Sequence, residues 1–120
     1  FGYIASLSGA LDMSELQNST EAHMAKMPAN YRRAVFADPT KINGSENDIL
    51  VLLKKVLDSG VEMPKLYMTC GTEDFIFPGN ESFYEKAQAL GVTPVYERCP
   101  GVHDWDYWDT HIKDVLRWLP

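Results

Sequence analysis

A chain of 120 residues, 45% hydrophobic and 23% charged, has the composition of one ordinary globular domain with enough apolar mass for a core. Its net charge of −6, without a cluster of Lys or Arg, excludes nucleic acid and an anionic membrane surface as expected partners. No apolar run reaches the roughly 18 residues of a membrane span, and two cysteines are too few for a disulfide scaffold.

Residues Phe1 to Ser8 are almost continuously apolar or small, which predicts a strand buried on both faces of a parallel sheet and stopped at Gly9. A thin apolar stripe over Met13–Met27 predicts a helix that Pro28 ends, with His23 on its surface. Asp38-Pro39 and Asn43-Gly44 mark loops, and the excursion from Leu11 to Ser45 is a candidate cap over a site. Glu46–Ser59 predicts a helix. Ser45 offers an N-cap, Glu46 and Asp48 place acid in the first turn, and Gly60 follows the end. Ile49, Leu52, Leu53, Val56 and Leu57 share one face of it.

Lys65–Cys70 predicts a short strand, and Pro78–Leu90 a helix with Phe83, Ala87 and Leu90 as its stripe. Pro94–Cys99 predicts a strand whose mixed alternation, through Glu97 and Arg98, marks a sheet edge. Trp105–Leu119 predicts a helix with Trp108, Ile112, Val115, Leu116 and Leu119 facing inward. Cys70 and Cys99 each close a strand and are expected to be buried free thiols, with a disulfide between them as the alternative. The alternation of strands and helices predicts an α/β unit over residues 1–120, about three parallel strands with crossover helices.

Two segments carry chemistry: Cys70-Gly-Thr-Glu-Asp74-Phe75 and Pro100-Gly-Val-His103-Asp-Trp105. Each leaves a strand, turns at a glycine, presents a polar side chain and enters a helix. Functional loops of open α/β sheets lie at the carboxyl ends of strands. An acid and then a histidine is the late half of a Ser…Asp…His chain order. In that arrangement Asp74 holds one ring nitrogen of His103, and the other nitrogen takes a serine proton. Against it, Asp74 can be a turn or cap residue and His103 a loop histidine packed under Trp105. Glu73 and Asp104 are neighbouring alternatives for the acid. Trp105, Tyr107 and Trp108 can wall an acyl or alcohol group, or, as the stripe favours for Trp108, belong to the helix core. The string His103-Asp104-x-Asp106-x-x-Asp109-x-His111 spreads its groups around a helix and lacks an i, i+4 histidine pair, so no metal is expected.

Three segments together resemble the C-terminal half of the esterase D-like branch of the α/β-hydrolase superfamily. They are Tyr3-Ile-Ala-Ser-Leu-Ser-Gly9, Cys70-Gly-Thr-Glu-Asp74-Phe75, and Gly101-Val-His103-Asp104-Trp105 with Tyr107-Trp108-Asp109. The pattern is most similar to tributyrin esterase-type carboxylesterases and covers essentially the whole chain. The resemblance implies that Asp74 is a triad acid and His103 the general base. By analogy, Trp105, Leu11, Phe75 and Ile76, with Asp12, line the substrate pocket, and no cofactor is needed. The implied activity is that of a serine carboxylesterase, hydrolysing short acyl esters through an acyl-enzyme. Feruloyl, acetyl-xylan and S-formylglutathione-type esterases are the alternatives among enzymes. A non-catalytic hydrolase-fold fragment or binding module is the alternative of another class.

No Gly-x-Ser-x-Gly elbow occurs; Ser6 and Ser8 lie in the first strand, and the remaining serines read as caps or surface residues. The chain is therefore expected to be the C-terminal portion of one hydrolase domain, with the nucleophile-bearing N-terminal portion absent. It is expected not to turn over esters alone. The bare edge of the Phe1–Ser8 strand is expected to pair with the missing half as another chain or with a second copy, giving an oligomer. The expected compartment is cytoplasmic, and since the first residue is Phe1 a preceding leader is not excluded.

Overall fold

Three runs rich in apolar residues pair side by side in parallel: β1 (Tyr3–Leu7), β2 (Lys65–Gly71) and β3 (Val95–Cys99), in that spatial order. Between and after them run α1 (Ile49–Ser59), α2 (Phe77–Ala89) and α3 (Trp105–Trp118). The computed structural model describes residues 1–12, 14 and 41–120. The expected helix over Met13–Met27, with His23, lies outside the described residues apart from Ser14, as does most of the excursion between Leu11 and Ser45.

The register sets which side chain faces which helix. Ala5, Tyr67 and Val95 lie abreast, as do Ser6, Met68 and Tyr96. Alternation then sends Met68, Cys70 and Tyr96 to one face and Tyr67, Thr69, Glu97 and Cys99 to the other. On the first face α1 and α2 close a core of Leu53, Met68, Phe83, Ala87 and Val92. On the second lies α3. Its Trp118 ring packs against Tyr3 and Tyr67, each with centroids 5.3 Å away. Tyr107 and Thr69 share a buried hydrogen bond of 2.6 Å between their hydroxyls.

Several local expectations change. Burial on both faces holds for β2, where Tyr67 to Gly71 are all buried, but not for β1, whose Ile4 is 48% exposed. β1 lies at the edge of the described sheet, so only one neighbouring strand shelters it. The cap of α1 is Asp48, not Ser45: its carboxylate accepts from Leu50 N at 3.0 Å and from Gly44 N at 2.8 Å. Ser45 acts one turn earlier, donating to the Ile42 carbonyl and accepting from Asn47 N. In α2, Phe83 and Ala87 are buried, whereas Leu90 is exposed at the C-cap.

Helix α3 is rotated from its expected stripe. Tyr107 and Val115 are its buried residues, while Ile112, Leu116 and Leu119 are exposed. The Tyr107–Thr69 bond and the Trp118 ring contacts fix the rotation, and aliphatic spacing alone does not report them. The thiols are both free, Cys70 buried and Cys99 only half-buried. They close neighbouring strands, yet Cys70 lies beside Arg98 and Cys99 beside Gly71, so they leave opposite faces of the sheet. Among the described residues no helix is long and apolar enough to cross a membrane.

Candidate active site

The loops after β2 and β3 meet because two glycines let their backbones touch. A Cβ on Gly71 would run into the Gly101 carbonyl, and one on Gly101, at φ +150°, would meet the Tyr107 ring. The contact is then stitched. Thr72 N donates to the Cys99 carbonyl at 2.9 Å and Glu73 N to the Gly101 carbonyl at 3.1 Å. Gly101 N donates to the Glu73 carboxylate at 2.6 Å. That bond, followed by one from the Thr72 hydroxyl, holds the Glu73 carboxyl below the usual carboxylate range.

This arrangement sorts the acids. Glu73 is occupied by the loop contact. Asp104 caps α3, accepting from Tyr107 N at 3.0 Å. Asp74 is the carboxylate beside His103: Nδ1 lies 2.9 Å from Oδ2 and 3.2 Å from Oδ1. The Asp74 side chain is fully buried, whereas that of His103 is 31% exposed. Asp74 is both the turn residue and the histidine's partner, since its Oδ1 also accepts from Ile76 N at 3.0 Å. The carboxylate favours the tautomer with its proton on Nδ1, which leaves Nε2 as a lone-pair base.

The His103 ring is clamped from two sides. The Phe75 ring lies 4.8 Å from it and the Trp108 ring 4.9 Å, the latter edge-on. Trp108 is therefore only partly a core residue. Helical spacing hides this contact, because His103 precedes the cap and its loop folds back over the first turn. Trp105 is 79% exposed and meets Trp108 edge-on at 5.1 Å, one ring removed from the histidine. Ile76 sits at the cap of α2, behind Asp74.

Leu11 lies elsewhere. It packs against the core cluster and lines an apolar groove of about 260 Å³ with Ile4, Leu52, Leu53, Met63 and Phe83. Asp12 is not open to a pocket: its buried carboxylate accepts from Ser14 N, the Ser14 and Ser82 hydroxyls and Lys86 Nζ, at 2.6 to 2.9 Å. Among the described residues no serine hydroxyl is hydrogen-bonded to His103. Ser8 turns the chain after β1 with φ +49° but is buried.

An acetyl esterase from Caldicellulosiruptor saccharolyticus is 33% identical over 117 residues, spanning 97% of this chain and 44% of the relative. The structure superposes on an S-formylglutathione hydrolase from Staphylococcus aureus with a TM-score of 0.81 at 27% identity, over 98% of this chain and 44% of that one. A fluorophosphonate-binding serine hydrolase from the same organism gives the same TM-score, identity and coverage. Over nearly its whole length the chain shares the fold of part of these α/β-hydrolase relatives. It spans less than half the length of each of these relatives. No family model matches it. Within this fold the Asp74–His103 pair occupies the carboxyl ends of β2 and β3, the edge at which open α/β sheets place their chemistry.

Proposed function

We propose that this chain supplies the acid and the base of a serine esterase, Asp74 orienting His103, with the nucleophilic serine contributed from outside the described residues. The observation that carries the reading is the 2.9 Å contact between a fully buried carboxylate and a partly exposed imidazole. In the proposed cycle, His103 Nε2 takes the serine proton as the hydroxyl attacks the ester carbonyl. Asp74 stabilises the imidazolium without itself taking the proton. The base then returns the proton to the leaving alcohol, an acyl-enzyme remains, and water activated by His103 hydrolyses it. Phe75 and Trp108 hold the ring, and Trp105 offers an exposed apolar face to the acyl or alcohol portion.

The relatives' names support a substrate class: acetyl and formyl are the smallest acyl groups, so a short acyl ester is the expected substrate. The S-formylglutathione hydrolase at TM-score 0.81 favours, as a second reading, a small acyl thioester. The partner in this reading is the remainder of the hydrolase, in the same polypeptide or as a companion chain. The test is a fluorophosphonate probe on the purified protein, with intact masses of every polypeptide present. An adduct on a serine outside this chain supports the proposal. An adduct on one of this chain's own serines overturns the assignment of the nucleophile. No adduct supports a binding module that keeps the fold without the chemistry. The isolated chain is expected not to hydrolyse p-nitrophenyl butyrate.

A further inference from the structure

Glu97 and Cys99 are two residues apart on β3, so both side chains leave the sheet toward α3. His111, midway along α3, packs onto the same region. A Glu97 carboxylate oxygen, Cys99 Sγ and a His111 ring nitrogen lie within 4.8 Å of one another, and all three residues are half-buried. Neither Asp74 nor His103 belongs to this cluster. His111 is also pre-positioned. Its Nδ1 lies 3.3 Å from Asp114 Oδ2, and its ring packs on Tyr107 with centroids 4.3 Å apart. Arg117 binds the other Asp114 oxygen at 2.7 Å. With Nδ1 held by a carboxylate, Nε2 is the nitrogen left for a ligand.

We propose that Glu97, Cys99 and His111 form a zinc site, completed by water, that staples β3 to α3. The donor set decides the ion. A thiolate and an imidazole disfavour the hard cations magnesium and calcium. One sulfur, one nitrogen and one carboxylate oxygen with an open fourth position suit tetrahedral zinc. Ligand edges in such a site are about 3.3–3.8 Å for metal bonds of 2.0–2.3 Å. The three groups therefore close by about 1 Å, within the reach of half-buried side chains. The charge also fits: the Glu97 carboxylate belongs to the cluster and that of Asp114 backs His111, and a cation offsets them. Asp114 behind His111 is the carboxylate–histidine pairing that raises ligand basicity. Binding deprotonates Cys99 and releases that proton, so affinity rises with pH. Glu97, Cys99 and His111 fall outside the His–Asp string on which the sequence excluded a metal, except for His111 itself. The cluster becomes legible only when β3 and α3 are packed together.

The test uses the purified protein, stripped with chelator and loaded with cobalt(II). The expected result is one cobalt per chain and a thiolate-to-cobalt charge-transfer band, both removed by added zinc. Cys70 is fully buried on the opposite face, so the band reports Cys99. Zinc is expected to slow alkylation of Cys99 at least about tenfold, without effect on Cys70. Asp114→Asn is expected to weaken zinc about 10- to 100-fold, and Cys99→Ser to abolish the band. Absence of the band in the unaltered, folded protein overturns the site whether or not the variants fold. So does a band that persists in Cys99→Ser, or equal zinc affinity in His111→Gln and the unaltered protein.

Discussion

Asp12 and Asp74 are two wholly buried carboxylates that follow neighbouring strands, and each faces a nitrogen base of a different kind. Asp12, past β1, takes a permanent cation, Lys86 at 2.6 Å, plus the Ser14 and Ser82 hydroxyls and the Ser14 amide. Asp74, past β2, takes an imidazole at 2.9 Å and one amide. Burial pushes the Asp12 carboxyl up, but the bonds from Lys86, Ser14 and Ser82 together outweigh it and hold it well below the usual carboxylate range. That carboxylate is a strut, held ionised throughout the neutral range. Asp74 faces an imidazole, a group able to take up a proton and give it back during a reaction. A buried acid becomes chemically useful when its partner is titratable and reachable from solvent.

The sharpest way to break this comparison is to remove each side of the second pair. Asp74→Asn keeps the shape of the site but disfavours the tautomer that leaves Nε2 free. On the proposed reading, with the serine present, ester hydrolysis is expected to fall about 10⁴-fold, with a similar or larger loss for His103→Ala. His103→Ala is also expected to lower thermal stability, since it takes the imidazole from the buried Asp74 carboxylate and from the Phe75 and Trp108 rings. Steady-state ester hydrolysis and a melting curve on the same preparations check both halves. A loss below tenfold in Asp74→Asn would place the triad acid elsewhere.

The strut should behave in the opposite way. Lys86→Met takes the Lys86 cation away from the buried Asp12 carboxylate, and is expected to cost about 2–3 kcal/mol in urea unfolding. The estimate sits below that for a fully buried pair because Lys86 is 45% exposed. Activity per folded molecule is expected to persist. The same pair sets an acid limit. Asp12 has a lower pKa folded than unfolded, so its contribution is fully present above the unfolded value near 4. It is lost as pH falls below that value toward the folded one. Asp12→Asn should therefore flatten the fall in stability below about pH 4, measured by urea midpoints across that range.

The order of elements and the acid–histidine spacing were legible in the sequence because each rests on local rules. Apolar runs of strand length, helix stripes and a glycine after each strand are all short-range signals. What stayed hidden depends on packing between elements distant in the chain. Leu11 and Asp12 follow the first strand as a pocket wall would, yet Lys86 and Ser82 of α2 capture Asp12, and Leu11 joins the core beside α1. The aliphatic stripe of α3 pointed Ile112 and Leu116 inward, but Tyr107 and Trp118, reaching Thr69 and Tyr67 on β2, set the rotation. That rotation brings His111 over Cys99, a juxtaposition that no spacing along the chain reports.

The smallest expected effect concerns Glu73, next to Asp74 and the other acid of its loop. Its carboxylate accepts from Gly101 N and from Thr72, so it ties the two loops without touching His103. Glu73→Gln retains an oxygen for the Gly101 amide and removes only the charge. Ester hydrolysis is expected to change by less than about threefold, as for an exposed charge outside the reacting centre. Glu73→Ala removes the acceptor itself, so the loop carrying His103 loosens. The expected signature is a modest fall in kcat with the pH profile unmoved, because the base keeps Asp74. If Glu73→Gln proved severe and Asp74→Asn mild, the geometry would have misassigned the acid. The two loops would then have to rearrange in the working enzyme, exchanging the stitch at Gly101 for a contact with the histidine.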